Sequence, residues 1–393
     1  MNRPFLNSIF RLLLAILITW LGTSFTYTHQ PDENLNQANS PQNRPEFFHN
    51  HNITDGPYIF YENDNIVVRW IKGKRLKTKT ILGNNTNYIK TRFGFKISID
   101  QLKNPVPDRV DFAQKYTGVN DIVVISDVHG QYEMFIELLQ HHNVINSDLE
   151  WCFGNGHLVV LGDVFDRGSK VTELLWLVYR LEQQAEKDGG KVHYILGNHE
   201  LMVLNNDLRY INEKYIHTAN KMNMVYTQLF AENTFFGKWL RSKPVMVTIN
   251  DLLFVHAGIS PELVLKGITV EKANHIFYDK IIGKSWDIVL NDSISTFLLS
   301  EDGPIWHRGF FENTISDKQI ENILSYYNTK HIIIGHTSMP NIISLNNGRI
   351  IAVDSNIKDG NYGEILIFKN NEFFRGTSHG TLMKLETLKD NQH

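Results

Sequence analysis

The stretch "HLVVLGDVFDRGSKVTELLW" (157–176) sets the reading of the whole chain. Its opening, His157 to Leu161, is a short apolar, β-branched run, the pattern of a strand buried on both faces. From Val171 it becomes "VTELLWLVYRLEQQAEK", where apolar residues recur at helical spacing. Between the two, Asp163, Asp166 and Arg167 crowd a glycine-containing turn. Strand, polar turn and helix make a βα unit, and in open α/β sheets the carboxyl ends of the strands hold the site. An aspartate after a strand also serves as a helix cap, so this one turn leaves both readings open.

The pattern recurs along the chain. "DIVVIS" leads into "DVHG", "VHYIL" into "GNHE", "LLFV" into "HAGIS" and "HIIIG" into "HTS". A second helical pattern, "QYEMFIELLQHH", follows the first of these. Every such strand end carries ligand-type side chains beside glycine, so the clusters are expected to converge. Asp127 and His129, two positions apart, are expected to point the same way from an extended segment. With Asp163, Asn198, His256 and His336 they offer two carboxylates, an amide oxygen and three imidazoles. A mixed oxygen and nitrogen set without thiolate suits Mn, Fe or Zn. It is enough for two ions if one aspartate bridges. Taken singly, Asp163 reads as a cap, Asn198 as a turn residue and each histidine as a satisfied polar group. Only the joint pattern speaks for a site.

At 393 residues with 42% hydrophobic content, the chain supports one large domain with extensions, or two domains. A formal net charge of −3 argues against broad contact with nucleic acid. The single cysteine, Cys152, excludes an intrachain disulfide and a thiolate zinc site. Arg3 and Arg11, followed by an apolar run from Leu12 to Leu21, read as a signal peptide or signal anchor over residues 1–30. The run is shorter than the roughly 20 residues of a comfortable membrane span. Export to the periplasm, or association with a membrane through this segment, is therefore expected; a transit peptide and a buried N-terminal helix are the alternatives. An Asn- and Pro-rich linker follows over 31–56, then a β-rich extension over 57–117, with runs broken at an Asn-Asp pair and at Gly73. The α/β body is placed at 118–380, with a long aromatic insert at 201–250 that reads as helical and lying over the site. Its aromatics suit packing, or alternatively a lid.

"SDVHG", "GDVFDRG", "GNHE", "HAGI" and "GHT", in this order, resemble the calcineurin-like metallophosphoesterases. The arginine of "GDVFDRG" and the glutamate of "GNHE" look like the phosphoprotein phosphatase branch, most of all its bacterial-type Shewanella-like and Rhizobiales-like members. Ser126 stands where that family usually has glycine. The resemblance covers 118–380 and implies an α/β fold, a β-sandwich of two mixed sheets flanked by helices. It further implies that Asp127, His129 and Asp163 hold the first of two divalent ions, with Mn favoured. Asp163 would bridge to a second held by Asn198, His256 and His336. A hydroxide shared between the ions would attack phosphorus in line, and His199 would protonate the leaving oxygen. Asp166 would orient His199, Arg167 and Asn198 would grip the phosphoryl oxygens, and Glu200 would steady the ligands. Arg308 of "GPIWHRGFF" fits a second phosphate-binding arginine by its order in the chain, with Arg375 as its competitor. The implied activity is phosphomonoester hydrolysis on a phosphorylated protein, at Ser/Thr or Tyr, or on a small phosphoester. Dinucleoside polyphosphate or pyrophosphate hydrolysis is the enzymatic alternative. A non-catalytic phosphate-binding role is opposed by the completeness of the set.

Overall fold

The computed structural model describes residues 52–106, 109–312 and 314–386; the signal segment expected at 1–30 and most of the linker lie outside them. Strands β1 (Ile53–Glu62), β2 (Asn65–Gly73) and β3 (Arg75–Ile81) form an antiparallel meander. Its first turn is Asn63–Asp64, both at positive φ (+45° and +62°), the two-residue loop whose twist matches that of paired strands. Pairing begins at Ile53, so the linker drawn to residue 56 runs too far. The extension is not β alone. Helices Asn87–Phe93 and Ile99–Lys103 follow it, the second closed by a Ser98–Gln101 capping box.

Two six-stranded mixed sheets form the body. One carries β7 (Lys191–Ile195), β6 (His157–Leu161) and β5 (Asp121–Ile125) in parallel, followed by β13 (Glu364–Lys369), β14 (Glu372–Thr377) and β15 (Leu382–Lys384) as an antiparallel flank. The other is built from β4 (Lys115–Tyr116), β8 (Met246–Ile249), β9 (Leu252–Val255), β10 (His331–Ile334), β12 (Ile350–Ala352) and β11 (Ile343–Leu345). Alternation explains why the strands read as unbroken apolar runs. Ile122 and Val124 of β5 and Val159 and Leu161 of β6 join Phe254 and Ile333 of the opposite sheet in one buried cluster. Val123, Ile125, Leu158 and Val160 face the other way, into the layer of helices. Burying each such side chain contributes about 1.5–3 kcal/mol. Helices Tyr132–His141 and Val171–Lys187 stand at the periodic stretches.

The body exceeds 118–380 at both ends, since β4 precedes it and β15 follows it. The insert is helical, with helices Glu213–Met222 and Phe235–Arg241 about a 3₁₀ turn at Tyr226–Phe230. It stops short of residue 250, because β8 already belongs to the second sheet. Tyr215, Phe230, Phe235 and Trp239 are buried, so these aromatics pack. Among the described residues no helix is long and apolar enough to cross a membrane.

Candidate active site

The loops leaving β5 and β6 are laced together. The N–H groups of Asp127, His129 and Gly130 donate to the carbonyls of Gly162, Asp163 and Val164 at 3.2, 2.8 and 3.0 Å, and Gly168 N–H returns to the His129 carbonyl at 2.9 Å. This lacing drives the backbone into the left-handed region at Asp127 (+52°), His129 (+45°), Asp163 (+55°), Asp166 (+70°) and Arg167 (+61°). The extended segment expected at 127–129 is therefore a turn; Asp and His enter this region more readily than most residues. Each such residue costs about 1–3 kcal/mol, and strain of this kind clusters at functional sites. Close approach demands glycine nearby: a Cβ on Gly197 would lie 2.2 Å from Asp163 Oδ1.

Asp163 is the centre. Its Oδ1 accepts the N–H of His199 at 3.0 Å, while Oδ2 lies 3.3 Å from His256 Nε2, 3.7 Å from His129 Nε2 and 3.8 Å from His199 Nε2. His129 Nδ1 donates to the Phe165 carbonyl (2.7 Å) and His256 Nδ1 to that of Leu161 (2.8 Å). With Nδ1 bound to a main-chain carbonyl, each ring turns its Nε2 inward. His256 Nε2 stands 3.0 Å from Asn198 Oδ1 as well. Imidazole nitrogens, an amide oxygen and a carboxylate thus converge on one buried spot, a mixed oxygen and nitrogen donor set of the kind that holds a divalent cation. The buried Nε2 of His336 has no hydrogen-bond partner. His129, Asp163 and His199 form one group of converging ligand atoms, and Asp163, His256 and His336 a second, each within 4.8 Å. The donor set fits divalent cations. Asp127 joins neither group; its Oδ2 accepts the Ser126 hydroxyl (2.5 Å) and the His336 N–H (2.9 Å).

The electrostatics are those of a buried anion ringed by imidazoles. Burial would raise the Asp163 pKa, but His256 and His199 outweigh it and hold the carboxyl well below its usual range. Burial opposes charge on His256 too, yet Asp163 carries its pKa up to about 10. Burial wins at His129, pushed down to about 3. At Asp127, burial and the neighbouring Asp354 both push the carboxyl up.

Glu200, wholly buried, accepts the N–H groups of Asp163 (2.9 Å), Val164 (2.7 Å) and Gly197 (2.8 Å) and the Tyr194 hydroxyl (3.0 Å). It ties the turn after β6 to the turn after β7. Asp166 Oδ2 meets His199 Nδ1 at 2.6 Å. Burial disfavours the His199 imidazolium, but Asp163 and Asp166 prevail and leave its pKa raised.

The family model described as calcineurin-like phosphoesterase matches residues 121–340. The chain belongs to that family. It is similar to the cold-active protein-tyrosine phosphatase of a psychrophilic Shewanella, with 37% identity and a TM-score of 0.76 over 85% of this chain and 100% of that one. It is 28% identical over 279 residues to Shewanella-like protein phosphatase 1 of Plasmodium berghei, covering 67% of this chain and 76% of that protein. A symmetrical bis(5'-nucleosyl)-tetraphosphatase of Vibrio cholerae is 25% identical over 185 residues, 47% of this chain and 59% of that protein. The chain is a metal-dependent phosphatase, and its two mixed sheets flanked by helices are the metallophosphoesterase fold.

In this metallophosphoesterase the arginines separate clearly. Arg167 is exposed on the turn after β6; its N–H donates to the Tyr210 carbonyl (3.0 Å), and its guanidinium lies 5.3 Å from the Tyr210 ring. Arg308 is exposed beside His336, donating to Thr337 Oγ1 at 2.8 Å. Arg375 forms a bidentate pair with buried Glu364 (2.8 and 2.5 Å) and so is not available to phosphate.

Three residues escaped the sequence reading. Tyr210 rests against both Arg167 and His199, its ring centroid 5.2 Å from the imidazole. Asn212 donates to the Arg167 carbonyl at 2.7 Å. Asp354, buried behind Asp127, takes the Ser338 hydroxyl at 2.6 Å and the Asn356 N–H at 2.9 Å. A signal for Asp354 existed: "RIIAVD" is another apolar run ending in aspartate, and β12 is its strand.

Proposed function

We propose that the chain hydrolyses phosphomonoesters, with phosphorylated protein as substrate and phosphotyrosine accepted. The observation that carries this reading is Asp163, one carboxylate shared by two groups of converging ligand atoms. His129 and Asp163 of the first group would hold one ion, with Asp127 added by the family resemblance and His199 left out as the acid; Asp163, His256 and His336 of the second, with Asn198, would hold the other. Two divalent ions bound there, Mn favoured over Fe or Zn, would polarise phosphoryl oxygens and acidify a water. His199, whose pKa Asp163 and Asp166 raise against burial, would give its Nε2 proton to the leaving oxygen. Arg167 and Arg308, with the Asn198 side chain, would grip the phosphoryl group. Two guanidinium groups match a dianionic terminal phosphate better than a diester. The segment 1–30 is read as an export signal or anchor, which fractionation of cells making the full chain tests.

The likeness to the Shewanella tyrosine phosphatase supports the protein-phosphate reading. Dinucleoside polyphosphate hydrolysis is the second reading, favoured by the likeness to the Vibrio tetraphosphatase. Turnover of phosphotyrosine and phosphoserine peptides, p-nitrophenyl phosphate, bis-p-nitrophenyl phosphate and diadenosine tetraphosphate separates the two. Monoesters should dominate; dominant cleavage of the tetraphosphate would overturn the first reading.

A further inference from the structure

The N-terminal meander carries a charge that the active site does not use. Residues 65–103 hold ten basic side chains against one acidic, Asp100, whereas the remainder holds 29 of the 39 basic side chains and 41 of the 42 acidic ones. The charges gather on one face. Arg75, Lys77 and Lys79 alternate along β3, and Arg75 stands directly opposite Lys72 of β2. All four are exposed, as is Lys90 on the helix Asn87–Phe93 that packs on the same side, where Lys79 Nζ lies 5.8 Å from the Tyr88 ring. Arg69 is neutralised by a bidentate pair with Glu62, at 2.7 and 2.9 Å. Arg75, Lys77 and Lys90 meet no carboxylate among the described residues.

Like charges placed directly opposite on paired strands destabilise a sheet. Edge lysines deter aggregation, but that purpose needs one or two charges rather than a face. β3 is the outer strand of its sheet, and its free edge pairs with no strand among the described residues. An unpaired edge offers backbone donors and acceptors to an extended peptide, which a lipid headgroup cannot match. The patch is also tied to the active site. Lys74 O, in the turn before β3, accepts from Lys221 Nζ (3.5 Å) near the end of the helix Glu213–Met222. Asn212, the cap at the other end, holds the Arg167 carbonyl. That ten-residue helix spans about 15 Å, the reach of roughly five extended residues.

We infer that the face and free edge of β3 dock an acidic segment of the phosphorylated protein, some residues away from the phosphate bound at Arg167. The inference rests on the protein-phosphate reading and names its substrate class. The test uses a phosphotyrosine peptide with and without a run of Glu and Asp five to ten residues from the phosphate, at low and high salt. Wild type is compared with Arg75→Glu/Lys77→Glu/Lys79→Glu and with the matching triple Gln variant. Anisotropy of the labelled acidic run alone gives binding without turnover. The acidic run should lower KM about tenfold at low salt and lose that gain at high salt. The Glu variant should abolish both the gain and the binding, and the Gln variant should fall between. p-Nitrophenyl phosphate turnover should stay unchanged in both, and the melting temperature should hold or rise as the repulsion between Arg75 and Lys72 is relieved. Peptides cleaved equally with or without the acidic run would overturn docking while leaving the phosphatase reading intact. Binding of phosphatidylserine vesicles that the Glu variant abolishes, with tail-independent cleavage, would assign the face to lipid and overturn the inference. Cleavage of diadenosine tetraphosphate but of no phosphopeptide would remove the protein-phosphate reading, and docking with it.

Discussion

The inner nest and the outer rim of the active site are built differently. In the nest, Asp163, His256 and Glu200 are almost wholly buried, and each is fixed by several short contacts from different strands' loops. At the rim, Arg167 and Arg308 are exposed, and Tyr210 keeps 44% of its surface in solvent. The nest is over-determined by the two sheets. The rim leans on the insert, through Tyr210 and Asn212. On the proposed reading, chemistry falls to the deeply buried part and contact with the substrate to the exposed part.

Breaking the nest should have the largest effect. Asp163→Asn should lower kcat by more than the roughly 10–100-fold that follows loss of a residue behind a metal ligand. His199→Ala should lower kcat about 10²–10⁴-fold on alkyl phosphates. It should do so less on p-nitrophenyl phosphate, whose leaving group needs no proton; equal losses in stopped assays would contradict the acid role. Glu200→Ala leaves four main-chain N–H groups, those of Asp163, Val164, Phe165 and Gly197, without their acceptor and should destabilise the fold by about 3 kcal/mol. Thermal melting reads this, and an unchanged melt would mean the loops hold without it.

Rim changes should be milder. Arg167→Ala and Arg308→Ala should mainly raise KM for phosphomonoesters while metal content stays intact; Arg375→Ala should instead reduce stability, since it strands buried Glu364. The pH profile links the two regions. Asp163 and Asp166 raise the His199 pKa above its unfolded value of about 6.5, so the protonated form and its stabilisation persist below that value and vanish as pH climbs through the folded one. Asp166→Asn should therefore move the alkaline limb of kcat/KM to lower pH. An unmoved limb would assign that ionisation elsewhere.

The same contrast explains what could be read beforehand. Strands buried on both faces leave continuous apolar runs, so β5, β6, β7, β9 and β10 stood out, and the ligands at their ends with them. Spacing alone took 127–129 as extended, because left-handed φ at Asp127 and His129 comes from lacing to 162–164, a contact made in space. Tyr210 and Asn212 lie in an insert without a strand to point at them. Asp354 is harder to read because its three-residue strand is followed by only a short 3₁₀ turn, Ile357–Asp359, rather than an amphipathic helix, although the apolar run before it is visible.

Metal content measured alongside monoester turnover, for wild type, Asp163→Asn and Arg167→Ala, bears most directly on a shared carboxylate at the centre of the site. Wild type should hold two divalent ions per chain; Arg167→Ala should keep both and turn over slowly. Asp163→Asn should lose metal and nearly all activity together. Two ions and near-normal turnover in Asp163→Asn would contradict the account.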